Sequence, residues 1–379
     1  MNNLHDQDGG LVDAVAERCF RPTSIDQISP WVRNQHRIQI VGASTKPAMA
    51  SSHHDVARCV MTGLSGIVDH QPSEFLITAL AGTSIEQMQS ELAVHQQYLP
   101  FDPPFATRGA TIGGTVAAGL SGAGRMRFGG LRDFIVGVRI VDGAGHLLTG
   151  GGHVVKNAAG YDLPKLMVGS AGLLGVMVEI TLKVFPKPTH TRTLCLRASS
   201  IRSAANVQNL LARSPIDVAA IDLTPDGAVW IRMEGAAQSL DWTTDRIQSM
   251  IGQAAEPVSL QTVEDADAVW SPLASGSFVG PLDRLVRAPM TPSRLLDIDA
   301  SLEELTVRRR YSVAGNLVWI AWPAERPLQQ LDECLRHHQL GATVLTGDVP
   351  QCRIGVRPNV SMLRRVKSAL DPDHRFVGR

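Results

Sequence analysis

Cysteine is scarce in this sequence, and its spacing counts against one large class of cofactor. The five cysteines are scattered along 379 residues and none forms a C-x-x-C pair, so the ligand spacing typical of an iron–sulfur cluster or a cysteine zinc site is absent. An odd number of widely separated cysteines also favours a reducing compartment over a disulfide framework. The cysteines are Cys19, Cys59, Cys195, Cys334 and Cys352.

The sequence also lacks long apolar runs and an excess of charge of either sign. No apolar stretch reaches the ~18 residues of a membrane span, and the polar N-terminus has no apolar core of the signal-peptide type. Lys plus Arg equals Asp plus Glu, 36 against 36, whereas a nucleic-acid partner favours a basic excess. We therefore expect a cytoplasmic protein with no transmembrane segment and no nucleic-acid partner.

The common nucleotide-binding fingerprints are missing as well. A doubly wound dinucleotide site requires G-x-G-x-x-G after a strand. Neither Gly122-x-Gly124 nor Gly143-x-Gly145 is followed by the third glycine, and no G-x-x-x-x-G-K-[ST] segment occurs. These absences count against a doubly wound dinucleotide fold and against a P-loop.

Glycine, by contrast, is abundant and concentrated. Eighteen of the 34 glycines fall between Gly109 and Gly175, although a glycine inside a helix or strand costs roughly 0.5–1 kcal/mol relative to alanine. The pair Gly113-Gly114 predicts a backbone surface that faces an anion, because exposed amides carry partial positive charge. A phosphate-bearing cofactor is one hypothesis, and a set of tight turns between short strands is the other.

Length and patterning predict two domains. At 379 residues, with 44% hydrophobic and 19% charged residues, the chain has ordinary globular composition and is too long for one compact domain. Pro186-x-Pro188 interrupts the pattern and marks the boundary. Short strands alternate with helices before it, and the segments after it predict an antiparallel sheet covered by helices.

Periodicity gives a coarse secondary structure. In the first half the predicted strands are Ile38–Val41, Leu64–Val68, Phe75–Leu80, Val138–Val141 and Val176–Val184. Helices are predicted at 11–18 and after Ser84, where a capping box with Gln87 begins a stripe of Ile85, Met88 and Leu92 that faces the core. The predicted second-half strands are Val218–Leu223, Val229–Met233 and Leu317–Ala321, and the helices are Ala204–Leu211 and Thr244–Ile251. Asp142-Gly143 is predicted to be a hairpin turn away from the cofactor, where an alanine at Gly143 should cost little stability.

Aromatic and histidine residues of the second half have mainly structural interpretations. Five of the six tryptophans lie there, and we interpret most of them as core, with a subunit interface as the alternative. The adjacent pair His337-His338 falls on a predicted helix, where neighbours point about 100° apart and cannot easily share a ligand. We expect both to face solvent. The five tryptophans are Trp230, Trp242, Trp270, Trp319 and Trp322.

A longer string of motifs resembles one family. Its parts, in order, are Pro103, Gly113-Gly114, Gly119, Arg127-Phe128-Gly129, Arg132-Asp133-Phe134-Ile135-Val136-Gly137, Lys156-Asn157-x-x-Gly160-Tyr161-Asp162-Leu163 and Gly169-Ser170-x-Gly172-x-Leu174-Gly175-Val176. This order and spacing resembles the FAD-binding domain of the vanillyl-alcohol oxidase type, also called the PCMH type, and more narrowly the FAD-binding subunit of bacterial glycolate oxidase. The resemblance covers about the first 190 residues and returns weakly at the C-terminus.

The resemblance implies an α+β fold and an FAD site. A PCMH-type FAD-binding domain of two α+β subdomains would span residues 1–188, with the cofactor between the subdomains. A smaller α+β cap domain would span residues 189–379, with a C-terminal helix returning to the FAD domain. The implied FAD-binding residues are Val41, Gly42, Ala43, Ser44, Thr45, Lys46, Pro103, Gly109, Gly113, Gly114, Thr115, Gly119, Arg127, Gly129, Lys156, Gly175 and Val176.

The loop Gly42–Lys46 would be only a turn on its own evidence, but the resemblance makes it the first contact with the pyrophosphate. It contains neither His nor Cys, so we expect non-covalent FAD, and we assign no metal ligand. Arg127 and Arg132 are open to two interpretations, a contact with phosphate or substrate carboxylate and, for Arg132, an ion pair with Asp133. Lys156 is either near the flavin ring or the cap of a turn, and Tyr161 is interpreted as packing.

The implied function is that of a subunit. Catalytic FAD-linked hydroxy-acid dehydrogenases of the resembled superfamily carry H-x-G-D-G-N-x-H in the cap, whereas this sequence has only Thr346-Gly347-Asp348. We therefore expect an FAD-binding subunit of a glycolate oxidase-like complex that relays electrons from a small 2-hydroxy acid between a catalytic FAD subunit and an iron–sulfur subunit. It would lie in the cytoplasm, either free or peripheral at the inner membrane through its partners. The alternatives are a self-sufficient FAD-dependent 2-hydroxy acid dehydrogenase and a structural subunit with a vestigial flavin site; no catalytic residue is assigned.

Overall fold

The computed structural model describes residues 19–50, 55–152, 162–252, 258–357 and 361–378. The predicted helix at 11–18, with Lys156 and Tyr161, lies outside these residues. Up to residue 186 the described elements are β1 (Cys19–Phe20), α1 (Ile28–Arg33), β2 (Ile38–Val41), β3 (Ala57–Val60), β4 (Ile67–Gln71), β5 (Leu76–Leu80), α2 (Ile85–Val94), β6 (Gln97–Tyr98), α3 (Ile112–Ala118), α4 (Arg125–Phe128), α5 (Leu131–Phe134), β7 (Ile135–Val141), β8 (Leu147–Gly151), α6 (Leu163–Met167), β9 (Val176–Lys183) and β10 (Phe185–Pro186).

Two sheets organise this described part of the chain. β1, β3 and β2 form a parallel sheet in that order. β4, β5, β9, β7 and β8 form an antiparallel sheet, with β9 in the middle. Because β9 has neighbours on both edges and helices nearby, Val178, Ile180 and Leu182 are fully buried. These sheets give the two α+β subdomains that the fold class implies.

Helix α2 begins where the sequence predicts it. The Ser84 hydroxyl accepts a hydrogen bond from the Gln87 backbone N–H at 3.1 Å, which satisfies one of the donors that a helix start leaves open. Ile85, Met88 and Leu92 are fully buried, as their spacing on one helix face predicts.

The second part is dominated by one antiparallel sheet. Its described elements are β11 (His190–Arg197), α7 (Ile201–Arg213), β12 (Ala220–Leu223), β13 (Ala228–Gly235), α8 (Ala237–Ile251), β14 (Ser259–Val263), α9 (Ala266–Ser275), β15 (Arg284–Pro289), α10 (Leu295–Glu304), β16 (Arg308–Ser312), β17 (Leu317–Trp322), α11 (Leu328–His337), β18 (Gly341–Val344), β19 (Arg353–Gly355) and α12 (Ser361–Leu370). Nine of these described strands pair in the order β14-β11-β13-β12-β16-β17-β15-β18-β19, and α7, α8 and α11 pack on them. The predicted antiparallel sheet covered by helices is confirmed.

The end of the chain returns to the first part. Phe376 forms a parallel bridge with Ile38 of β2, and the Ile38 N–H donates to the Arg375 carbonyl at 2.7 Å. The Lys367 ammonium of α12 donates to the Leu173 and Phe376 carbonyls, each at 2.7 Å. The tail therefore covers the free edge of β2.

Several local predictions are wrong, each for a physical reason. The strand predicted at Leu64–Val68 begins only at Ile67, because Met61–Gly63 forms a single 3-10 turn that the Leu64 N–H closes. His338 does not face solvent; it is buried, and its Nε2 lies 2.9 Å from the Ser301 hydroxyl. His337 is exposed as expected.

The prediction for Gly143 is also wrong. Asp142 and Gly143 do form a turn, in which the Asp142 N–H donates to the His146 carbonyl. However, a Cβ at Gly143 would lie 2.7 Å from the Asp371 Cα, because the C-terminal segment packs directly on this turn. An alanine there would displace the backbone and is not mild.

The tryptophans do not all join the core. Trp319 and Trp322 are buried, as interpreted, whereas Trp242 is 61% exposed on α8. Trp230 and Trp270 are half-buried. Of the described helices, none is long and apolar enough to cross a membrane.

Candidate cofactor-binding site

A cavity lies where the two sheets of the first part meet. It opens to solvent, and the centre of a water-sized sphere can occupy about 110 Å³ of it. Its walls are the loop after β2, the first turns of α3 and the segment before β9. Of the residues assigned from the sequence, it is lined by Val41, Gly42, Ala43, Ser44, Thr45, Lys46, Gly113, Gly114 and Gly175.

The loop Gly42–Lys46 lies against the start of α3. A Cβ at Gly42 would come within 2.5 Å of the Thr111 hydroxyl, so only glycine permits this close approach. Ser44 has a left-handed φ of 54°, an uncommon conformation for a residue with a side chain. The loop is thus held against α3 at one end and turned sharply at its centre, with its backbone along the cavity wall.

The glycine pair lies in the first turn of α3 rather than in an open loop. Thr111 caps the helix, and its hydroxyl accepts from the Gly114 N–H at 3.1 Å. A Cβ at Gly113 would lie 2.8 Å from the Ala81 carbonyl oxygen, whereas a Cβ at Gly114 would meet only the Thr111 hydroxyl, at 3.0 Å. Packing against Ala81 therefore explains Gly113, and the open cavity side of α3 is the surface that Gly114 leaves bare.

Lys46 contributes positive charge to the wall. Its ammonium donates to the Thr45 hydroxyl at 2.9 Å and lies 5.4 Å from the centre of the Phe105 ring. Burial and, to a smaller extent, the positive charge of the nearby Arg108 together lower the pKa of Lys46 from 10.5 to about 8. Near neutral pH the group still carries its proton, so it is a partly desolvated cation aimed at the cavity.

The opposite wall is apolar and was not predicted from the sequence. Met61, Met177 and Ile40 lie among small side chains that leave a broad opening. These residues come from β2, the 3-10 turn and β9, so only the three-dimensional pairing of distant segments brings them together. Alanine in runs such as Ala117-Ala118 was the available signal, because small residues on a helix face leave space. The small residues of this wall are Ala50, Ala81, Ala117, Ala118, Ala171 and Gly172.

The remaining assigned residues do not line this cavity. Arg127 forms an ion pair with Asp217 of the second part, and Gly119 ends α3 with a left-handed φ of 63°. Thr115 is buried and donates to the Thr111 carbonyl at 2.9 Å, so it stabilises the helix turn. Pro103 lines a second cavity instead. Gly109, Gly129 and Val176 are also outside the first cavity's lining, and Lys156 is outside the described residues.

The second cavity also opens to solvent and lies between the first part and the nine-stranded sheet; the centre of a water-sized sphere can occupy about 360 Å³ of it. Arg232 and Arg310 flank the Trp270 ring at 5.3 and 5.2 Å. Arg232 is paired with Asp102 at 2.5 Å and Glu234 at 3.1 Å.

Arg310 is paired as well. Its Nε lies 2.7 Å from the Asp222 carboxylate, which is fully buried. Both arginines of this cavity are therefore already neutralised by carboxylates of the chain itself. Such a cavity offers little attraction to an anion.

Comparison with known proteins supports FAD as the cofactor of this chain. Residues 16–163 match a family model described as an FAD binding domain. The chain is 43% identical over 175 residues to the glycolate oxidase subunit GlcE of Escherichia coli (strain K12), covering 46% of this chain and 49% of that protein. It is 29% identical over 185 residues to a D-2-hydroxyglutarate dehydrogenase of Xanthomonas citri pv. viticola, covering 47% and 39%. The glycolate oxidase subunit GlcD of Bacillus subtilis (strain 168) is 26% identical over 286 residues, covering 68% and 60%.

The chain thus spans about half the length of the curated relatives it matches. Among solved structures, alkyldihydroxyacetonephosphate synthase superposes with a TM-score of 0.70 over 94% of this chain and 76% of that one, at 14% identity. At that identity the likeness concerns the fold alone. It shows that the arrangement of the two parts is one that a known protein also adopts.

Proposed function

We propose that this chain, whose residues 16–163 match an FAD binding domain, is the FAD-binding subunit of a glycolate oxidase-like complex. The observation that supports this most directly is the cavity between the loop Gly42–Lys46 and α3. It combines exposed backbone at Gly114, a partly buried cation at Lys46 and an apolar wall. A dinucleotide with a charged pyrophosphate and a flat apolar ring requires these three features.

Individual residues have separate tasks in holding FAD. Lys46 would offset the charge of the phosphates, and Gly114 would let them approach the helix backbone. Met61 and Met177 would cover apolar rings, since a thioether side chain adapts to a flat surface. When bound, FAD supplies a two-electron acceptor that can pass electrons on one at a time. The lining residues that the structure describes include neither His nor Cys, which supports non-covalent attachment.

The second cavity favours a relay subunit over a self-sufficient enzyme. Oxidation of a 2-hydroxy acid requires a cation that holds the carboxylate and a base that takes the hydroxyl proton. Arg232 and Arg310 already hold carboxylates of the chain, so a substrate anion would have to displace them. Thr346, at the place that resembles the histidine motif, instead accepts the Leu285 N–H at 2.7 Å and joins two strands.

The complex would therefore contain other chains. A catalytic FAD subunit would oxidise a small 2-hydroxy acid, and an iron–sulfur subunit would carry the electrons onward. This chain would act in the cytoplasm, either free or at the inner membrane through these partners. We place the domain boundary at residue 188, between β10 and β11, with residues 189–379 forming the cap.

The similarity to a D-2-hydroxyglutarate dehydrogenase supports a second candidate, a dehydrogenase that works alone. The purified full chain, loaded with FAD, decides between the two when a redox dye is offered with glycolate or D-lactate. We expect negligible dye reduction by this chain and turnover only after partner subunits are added. Robust turnover by the single chain would contradict the relay proposal and favour the dehydrogenase.

The same preparation tests the cofactor site itself. After acid precipitation, all yellow colour should appear in the supernatant, because no covalent bond retains the flavin. Colour that stays in the pellet would show a covalent link, and colourless protein that takes up no FAD would support a vestigial site instead.

A further inference from the structure

A cluster of two histidines and one glutamate lies outside both cavities. His70 is near the end of β4, Glu91 is on α2, and His95 ends that helix. One potential ligand atom from each of the three side chains lies within 4.8 Å of the others. The His70 and His95 rings are nearly perpendicular, with centroids 4.9 Å apart. Nothing in the flavin site explains this convergence.

The hydrogen bonds around His70 fix which ring nitrogen carries the proton. The Gln97 amide nitrogen donates to the Pro72 carbonyl at 2.8 Å, and this contact orients the amide. The Gln97 oxygen therefore faces His70 Nε2, at 2.9 Å. Because that oxygen can only accept, Nε2 must carry the hydrogen. In the neutral ring, Nδ1 then has the free lone pair.

This lone pair has no partner among the described groups. The His70 side chain is only 6% exposed, and its Nδ1 faces the Glu91 carboxylate at 3.5 Å. No hydrogen bond satisfies Nδ1. A lone pair and a carboxylate that face each other repel unless a cation lies between them, and a buried polar atom without a partner is costly.

We propose that His70, Glu91 and His95 bind a divalent metal ion of the zinc type. Imidazole nitrogen and carboxylate oxygen are both ligands that zinc accepts, at about 2.0–2.2 Å. Glu91 and His95 are four residues apart, so they lie on the same face at the end of α2. The bond from His70 Nε2 to Gln97 is the outer contact that commonly orients a metal-binding histidine.

The exposure of the other two ligands provides an entry path. The Glu91 side chain is 41% exposed and His95 is also exposed. Both can therefore rotate to close the ligand distances around the ion, while the buried His70 stays fixed by Gln97. Water would occupy the remaining position. The ion would tie the C-terminal end of α2 to β4. The N-terminal end of α2, where Ser84 pairs with Thr111, lies about 15 Å away along the helix axis.

The test uses the full-length protein after treatment with a chelator. Titration with Zn²⁺ by calorimetry, and with Co²⁺ by its visible spectrum, should show one tight site per chain. Glu91→Gln and His95→Ala should each weaken binding at least about 100-fold, since loss of an outer contact alone costs about 10–100-fold. Both changes are at exposed positions, so folding is retained, and flavin content and the melting temperature check this.

Two matched controls belong to the same experiment. Glu86→Gln changes an exposed glutamate on the same helix, and His190→Ala changes an exposed histidine on β11; both should leave Zn²⁺ affinity unchanged. Zn²⁺ should also raise the melting temperature of the parent protein and of the controls, because it binds only the native state. An absence of binding, or binding that survives both Glu91→Gln and His95→Ala, overturns the proposal. The contact between His70 and Glu91 would then be an ion pair with a protonated histidine.

Discussion

At the scale of single residues, two neighbouring glycines have different tasks. A side chain at Gly113 would strike the Ala81 carbonyl oxygen, whereas a side chain at Gly114 would meet only the Thr111 hydroxyl, at 3.0 Å. Both have ordinary helical backbone, so the question at each is what a side chain would meet. A substitution at Gly113 tests packing, and a substitution at Gly114 tests the cofactor.

Gly114→Val should abolish FAD binding while the protein still folds. The new side chain would fill the cavity beside Thr111, but it would not strike the main chain of another segment. The measurement is flavin content per folded protein, with Gly252→Val as the control, because Gly252 ends α8 with a φ of −63° and its nearest neighbour would lie at 3.3 Å. Equal, near-stoichiometric FAD in both variants would mean that Gly114 does not face the cofactor.

Lys46 predicts how FAD affinity depends on pH. Its pKa is lowered by burial to about 8 in the free protein, and bound phosphates would raise that pKa again. Below pH 8 the lysine is already charged, so affinity should be flat. Above pH 8 the free protein loses the proton while the FAD complex keeps it, so affinity should fall by up to tenfold per pH unit.

Lys46→Met removes the titrating group and retains the apolar stem. We expect weaker binding at pH 7 and no further loss between pH 8 and 9.5. Flavin fluorescence titrations across this range provide the comparison. A parent protein whose affinity does not change with pH would show that Lys46 does not act on the phosphates.

At the scale of elements, the sequence predicts what is local and misses what depends on distant pairing. The helix cap at Ser84 and the buried face of α2 could be predicted from the sequence, because a helix start and one helix face are specified within ten residues. The burial of His338 against Ser301 and the contact of Gly143 with Asp371 were not readable. In both contacts the two residues are far apart in the sequence, and a periodic pattern of apolar residues does not predict an individual packing contact.

The cavity shows the same division. Gly42–Lys46 was found through the motif string, whereas the Met61 and Met177 wall depends on how β9 lies beside the first sheet. Arg127 was assigned to the cofactor by its place in the string. In the structure its guanidinium pairs with Asp217, a contact that the charge of the residue alone could not have predicted.

Replacing one carboxylate between helix α12 and the C-terminal tail, that of Asp371, should lower the stability of the protein strongly. Asp371 is fully buried, pairs with Lys367, and accepts the Arg375 and Phe376 N–H groups, each at 2.9 Å. Asp371→Ala leaves two backbone N–H donors without their acceptor. It also removes the carboxylate partner of the half-buried Lys367 ammonium, which keeps only its bonds to neutral carbonyls. The free energy of unfolding, measured in urea, should fall by about 3 kcal/mol or more.

Asp373→Ala is the matched control. Asp373 pairs with Arg375 on the surface, where its side chain is 61% exposed, so its loss should cost less than about 1 kcal/mol. Similar losses in the two variants would mean that the Asp371 network does not hold the tail in place.

At the scale of the whole molecule, charged contacts join the two parts. Arg232 of the large sheet reaches Asp102 of the first part, and Tyr98 donates to Glu234 at 2.9 Å. In a third contact the arginine comes from the first part: Arg127 pairs with Asp217 of the second part. The side chains of Arg232 and Asp102 are 12% and 27% exposed, so this pair is much less exposed than the pair of Arg127 with Asp217. Comparing the two pairs tests how much burial contributes to stability.

Arg232→Met should lower the free energy of unfolding by up to about 3 kcal/mol, because it removes the cation from two partly buried carboxylates. These carboxylates keep one hydrogen bond each, from the Gly124 N–H and the Tyr98 hydroxyl. Arg127→Met should cost less than about 1 kcal/mol, since Asp217 is 63% exposed. Urea unfolding followed by both tryptophan and flavin fluorescence makes the comparison. Equal effects in the two variants would show that burial at this junction does not determine its strength.

Pairing between Phe376 and Ile38 affects the order in which the protein can be made. β2 is the edge strand of its sheet, and its free edge is covered only by a segment translated near the end of the described chain. Gln35 and Arg375, which share a hydrogen bond, are separated by 340 residues. On the ribosome, the loop that begins at Gly42 must therefore wait beside an open strand edge, a recognised site of aggregation. We therefore expect the loop to reach its final position, and to take up flavin, only after the C-terminal segment has been translated.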